Sequence, residues 1–220
     1  MKTLRRKLIC YSDQLIPETA EIDKYLLSFL GTNQPRIGYI PSASDPTRKY
    51  FQNQQAYYAR YNINLEPYFE LDNIYRPEHL DALFTADAIH LSGGNTFNFL
   101  HWLRVRNLLD ALRQYVEQGG VLVGVSAGAI LMTPDIRTAL LCGDTAPIEN
   151  IETGGLGLVD FAIVPHFGCY ATLEQLENYS RENCITVYAC SDSAGIVIED
   201  DKVECIGNVK VIRNGLVTKL

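Results

Sequence analysis

The chain has 220 residues, 47% of them hydrophobic and 20% charged, with a formal net charge of -7 and an isoelectric point near 5.1. This size suits one α/β domain spanning residues 1–220, long enough to bury a full core, and the composition excludes a disordered chain. The negative charge opposes nonspecific nucleic-acid binding, and no apolar run is long enough to cross a bilayer; the start MKTLRRKLICYSD lacks a signal peptide's apolar core, so a cytoplasmic protein is expected.

Lys7–Tyr11 reads as the first strand, followed by a helix over residues 17–30 that Gly31 stops. Arg36–Ile40 reads as a second strand. The polar turn PSASDPTRKY then enters a helix over 46–60. A third strand is expected at 64–69, a short helix at 77–84 and a fourth strand at 87–91. The glycine-rich turn SGGNT opens a long helix, 95–117, and Gly119-Gly120 lead to a strand at 121–124. Further on, a strand at 161–165 and a helix at 173–180 precede strands at 185–189, Gly195–Glu199, Lys202–Ile206 and 209–212. Asp200-Asp201 and residues 213–215 read as hairpin turns.

Strands alternating with helices predict an α/β fold: a mostly parallel sheet with helices on both faces. The closely spaced C-terminal strands predict an antiparallel meander. Ligands of such sheets gather at the carboxyl ends of the parallel strands. Three polar turns lie on that edge: PSASD, SGGNT and the segment at Ser126.

The last of these sits in VLVGVSAGAI, where Gly124 and Gly128 flank Ser126 at a spacing of two. Glycine on both sides implies a turn too sharp for a Cβ, the G-x-S-x-G pattern of a nucleophile elbow. The plainer alternative is a strand-to-helix turn with Ser126 as its N-cap. A serine nucleophile needs a base, and the chain has four histidines. His79 starts a short helix, His90 lies inside a strand and His101 inside a helix. His166, in IVPHFG, ends a strand on the same edge as Ser126. The acid that orients it would be Asp192 in YACSDSAG, or alternatively Asp135 in TPDIRT. Backbone N–H groups of Ala127 and of the SGGNT turn would make an oxyanion hole. The six cysteines form no C-x-x-C pair, and no metal-ligand spacing is present, so neither a metal nor another cofactor is expected. Cys169 stands three residues after His166.

HLSGGNTFNFL, GVSAGAILMTPDIRTA and IVPHF, in that order, resemble the peptidase E family over residues 37–207. These are aspartyl dipeptidases, related to cyanophycinases, with a flavodoxin-like fold of the class I glutamine amidotransferase type. The resemblance implies Ser126 as nucleophile, His166 as base, Gly94 and Ala127 as oxyanion hole, and Asp192 or Asp135 as the acid. It implies a short peptide as substrate, with Asn95 and Thr96 of GGNT binding it. Val125 stands where the family pattern carries Trp. The family's Gly-Glu-Thr-Arg segment after PHF is absent: no arginine follows before Arg181, so specificity for an N-terminal Asp does not carry over. Arg137 and Arg48 are the charges that could stand in. A different small amide or ester hydrolase, or a binding module on the same fold, are the competing readings. A dimer is the default oligomeric state.

Overall fold

A computed structural model of the chain describes residues 6–146 and 152–218. The first five residues, part of the charged N-terminus, lie outside that range. Chain order runs β1 (Lys7–Tyr11), α1 (Ala20–Leu30), β2 (Arg36–Ile40), α2 (Lys49–Ala59), β3 (Asn64–Tyr68), α3 (Leu80–Phe84), β4 (Ala88–Leu91), α4 (Thr96–Val105), α5 (Leu108–Glu117), β5 (Val121–Val125) and α6 (Ala127–Leu131). It continues with β6 (Ala162–Val164), α7 (Leu173–Glu182), β7 (Val187–Cys190), β8 (Gly195–Glu199), β9 (Lys202–Ile206), β10 (Val209–Arg213) and β11 (Leu216–Thr218).

The main sheet has the order β3-β2-β4-β5-β1-β8-β9, and its first five strands are mutually parallel. β5 lies between β4 and β1 and is buried along its whole length, which is why VLVGV reads as a continuous apolar run. One face packs Ile9, Tyr11 and Val123 against Ile22, Leu26 and Tyr58 of α1 and α2. The opposite face packs Leu8, Ile89 and Leu122 against Phe97, Leu100, Leu112 and Ile130 of α4 to α6.

The expected C-terminal antiparallel strands are present, but they divide between two sheets. β8 and β9 extend the main sheet antiparallel to β1. β10 and β11 join β7 and β6 in a separate sheet of order β11-β10-β7-β6, in which α7 connects β6 and β7 as a parallel pair. This second sheet is apolar on both faces. Ile163, Tyr188, Val209 and Val211 face the main core, whereas Val164, Val187, Ala189 and Ile212 pack on Leu176 of α7. The second sheet is thus a layer between the main core and α7.

Helix boundaries also differ from the sequence reading: α1 begins at Ala20 and not at residue 17. The expected long helix 95–117 is two helices, because Asn107 adopts a left-handed conformation (φ 56°) between α4 and α5. Asn tolerates that region better than most residues do. The helix expected from residue 46 begins at Lys49, because Asp45 accepts the Thr47 and Tyr50 N–H groups and holds residues 45–48 as a turn.

Candidate active site

The site forms at the carboxyl edge where β1, β4 and β5 end side by side. Tyr11 is opposite Val125, and Leu91 is opposite Gly124. Beyond β5 the chain turns sharply: Ser126 has φ 51° and ψ -107°, a conformation a non-glycine residue occupies only under constraint. Backbone bonds to both flanking strands supply it, Ser126 N–H to Tyr11 O at 3.0 Å and Gly128 N–H to Ser92 O at 3.1 Å. The two glycines now have a steric cause. A Cβ on Gly124 would lie 2.5 Å from the Gly128 carbonyl, and one on Gly128 would lie 2.2 Å from Leu91 O. α6 therefore starts against the strand ends with no room for a methyl group at either position.

The second sheet delivers the histidine and the acid. His166 follows β6, and Asp192 follows β7. His166 Nε2 lies 2.9 Å from Ser126 Oγ, and its Nδ1 lies 2.7 Å from Asp192 Oδ1. The histidine side chain is 25% exposed and the Asp192 side chain 46% exposed. Asp135 is elsewhere: its carboxylate accepts Arg137 N–H and Nε–H and the Thr153 hydroxyl. Cys169 is exposed and donates its N–H to the His166 carbonyl.

A residue the sequence reading passed over ties the two sheets together here. Ser12, just after β1, accepts the His166 N–H at 2.8 Å and donates to Cys190 O at 3.2 Å. The next residue, Asp13, donates its N–H to Asp192 O. The signal was the polar pair Ser12-Asp13 at the end of a buried strand on the active edge.

The glycine-rich turn lies on the other side of Ser126. Gly94 has φ 128°, and a Cβ there would stand 2.1 Å from Ser42 Oγ. Ser42 Oγ donates to Gly93 O, Ser42 N–H donates to Ser92 Oγ, and Asn98 Nδ2 donates to Ser42 O, so PSASD and SGGNT form one rigid rim. Among the described residues the N–H groups of Gly94 and Ala127 have no hydrogen-bond partner. Asn95 and Thr96 support this turn and do not line the cavity beside Ser126. Asn95 caps α4 through the Asn98 N–H, and Thr96, fully buried, donates its N–H to Asp144. His90 is buried at the cavity floor, and burial pushes its imidazole down to about 3, so it is neutral. Among the described residues no cluster of side chains could hold a metal ion, and no helix is long and apolar enough to cross a membrane.

The sequence matches the peptidase family S51 model over residues 8–206. The chain belongs to peptidase family S51. It is 31% identical to a Peptidase E of Nostoc sp. over 190 residues, covering 82% of this chain and 76% of that one. An uncharacterized peptidase of Pasteurella multocida is 29% identical over 167 residues, covering 70% and 76% of the two chains. A solved peptidase structure from an acI-B1 actinobacterium superposes with a TM-score of 0.70 at 19% identity, covering 99% of this chain and 95% of that one, which shows the shared fold. As an S51 member the protein is a peptidase.

Proposed function

We propose that this S51 peptidase hydrolyses short peptides through an acyl-enzyme on Ser126. The observation that carries the reading is the continuous relay Ser126 Oγ, His166, Asp192, with contacts of 2.9 and 2.7 Å. The strained turn at Ser126 acts as a nucleophile elbow, holding Oγ clear of the sheet edge.

The chemistry follows from these positions. Asp192 accepts Nδ1–H, which leaves Nε2 as the lone-pair nitrogen facing Ser126. Nε2 takes the Ser126 proton as Oγ bonds to the substrate carbonyl carbon. Negative charge moves to the carbonyl oxygen, where the free N–H groups of Gly94 and Ala127 receive it. The imidazolium, stabilised by Asp192, gives its proton to the leaving amine as the C–N bond breaks. Water then enters on the same side and attacks the ester carbonyl as Nε2 takes its proton; Nε2 returns that proton to Ser126 Oγ as the ester C–O bond breaks, which releases the acid and restores the serine.

The test is Ser126→Ala assayed beside wild type on a dipeptide panel, with fluorophosphonate labelling as a second readout. Wild type cleaves and labels, whereas the variant loses both, with activity down on the order of 10⁴-fold or more. Residual cleavage within tenfold of wild type refutes an acyl-enzyme on this serine.

A further inference from the structure

The cavity beside Ser126 has a volume of about 510 Å³. Its wall is built from rings on β2, α2 and β3. Phe51 stands 5.2 Å from Tyr39 and 4.9 Å from Tyr68, and Tyr39 stacks on His90 at 4.9 Å. Three polar groups are left unspent within this wall. The Gln54 side-chain oxygen and the Tyr68 hydroxyl are buried without a partner. Gln14 donates to the Tyr58 hydroxyl, which shares a 2.8 Å hydrogen bond with His90 Nδ1; with Nδ1 as the acceptor of that bond, the ring proton lies on Nε2 as a donor. The charged members of the lining are two carboxylates, Asp13 and Asp45; the described lining contains no lysine or arginine. Arg48 lies outside the lining, exposed, with its guanidinium 4.6 Å from the Tyr68 ring.

Which half of a substrate would enter follows from the proton path. His166 protonates the leaving amine, so the leaving half lies on its side. The acyl half extends the opposite way, past Gly93-Gly94 and toward the ring-lined wall. Resting on the Ser126 mechanism above, we infer that this cavity receives the side chain of the residue whose carbonyl is attacked, and that it selects an uncharged aromatic side chain, tyrosine ahead of phenylalanine, over aspartate. Rings offer edge and face contacts to a flat side chain. Gln54 and His90 offer an acceptor and a donor to a phenolic hydroxyl. A substrate carboxylate would instead meet the like charge of Asp45, weakened by solvent screening.

The experiment measures kcat/KM of the full chain on Tyr-Leu, Phe-Leu and Asp-Leu, with fluorophosphonate labelling of Ser126 in parallel. Tyr-Leu and Phe-Leu should exceed Asp-Leu by at least about tenfold, with Tyr-Leu ahead. Gln54→Leu, checked for fold by circular dichroism, should lower the Tyr-Leu to Phe-Leu ratio about tenfold, because only tyrosine uses the amide. Asp45→Asn should raise Asp-Leu relative to Phe-Leu. Labelling together with equal or better cleavage of Asp-Leu, or with no cleavage of either aromatic dipeptide, overturns the pocket assignment alone. An unchanged ratio in folded Gln54→Leu overturns the tyrosine preference. Absence of labelling overturns the Ser126 mechanism and this inference with it.

Discussion

Asp192→Asn separates the proposed acid from its alternative. The variant keeps the side-chain shape at the 2.7 Å contact with His166 Nδ1 but removes the charge that stabilises the imidazolium. A hydrogen bond to a charged partner contributes about 1.5–3 kcal/mol. The Asp192 side chain is 46% exposed, so screening places the lost charge in the lower half of that range, about 2 kcal/mol. The asparagine amide can also present its NH₂ to Nδ1, which puts the ring proton on Nε2 and removes the lone pair facing Ser126. Together these effects total on the order of 3 kcal/mol, or about 100-fold in kcat/KM. Asp135→Asn weakens a half-exposed ion pair with Arg137 and should stay within about threefold of wild type. Both variants are assayed on one dipeptide, with the fluorophosphonate labelling rate as a substrate-independent readout. Asp192→Asn within threefold of wild type, or an equal loss in Asp135→Asn, refutes the reasoning.

Gly94→Ala forces a methyl group to within 2.1 Å of Ser42 Oγ at a φ of 128°. Expected are a stability loss of about 1–3 kcal/mol, read by chemical denaturation, and a kcat loss as the proposed oxyanion donor shifts; an unchanged variant refutes both roles. The burial of His90 makes stability pH-dependent. Its folded value near 3 lies below the ordinary value of about 6.5, so the unfolded chain takes up a proton first. The stabilisation is complete above about pH 6.5 and is lost as pH falls toward 3, at up to about 1.4 kcal/mol per pH unit. Urea unfolding from pH 7.5 to 4.5 should give a shallower slope in His90→Gln than in wild type, and equal slopes would count against this account.

The parts of the fold legible in the sequence were those with a local cause. β5 and the turn after it announce themselves as an apolar run closed by Gly124-Val125-Ser126-Ala127-Gly128, since the steric demand lies within five residues. The His166 and Asp192 positions were readable because each follows a short apolar run on the same edge. The α4/α5 break was not, since Arg106-Asn107 carries neither glycine nor proline and only the left-handed tolerance of Asn marks it. The partition of the C-terminal strands was also hidden: β8 and β10 are both largely buried, and only the tertiary partner decides which sheet each joins. The cavity wall had no sequence signature, because Tyr39, Gln54, Tyr68 and His90 come from four separate elements. Their side chains meet only after β2, β3 and β4 align.

The division of the strands into two sheets also splits the proposed catalytic apparatus by order of synthesis. A chain synthesised only through α6 contains Ser126 and the strands that hold its turn, but neither His166 nor Asp192. The serine acquires its base when β6 and β7 dock, and that docking is recorded at Ser12, which binds His166 and the end of β7 at once. Reactivity toward a serine-directed probe should then report assembly of the last layer, and is expected only once the two sheets are joined.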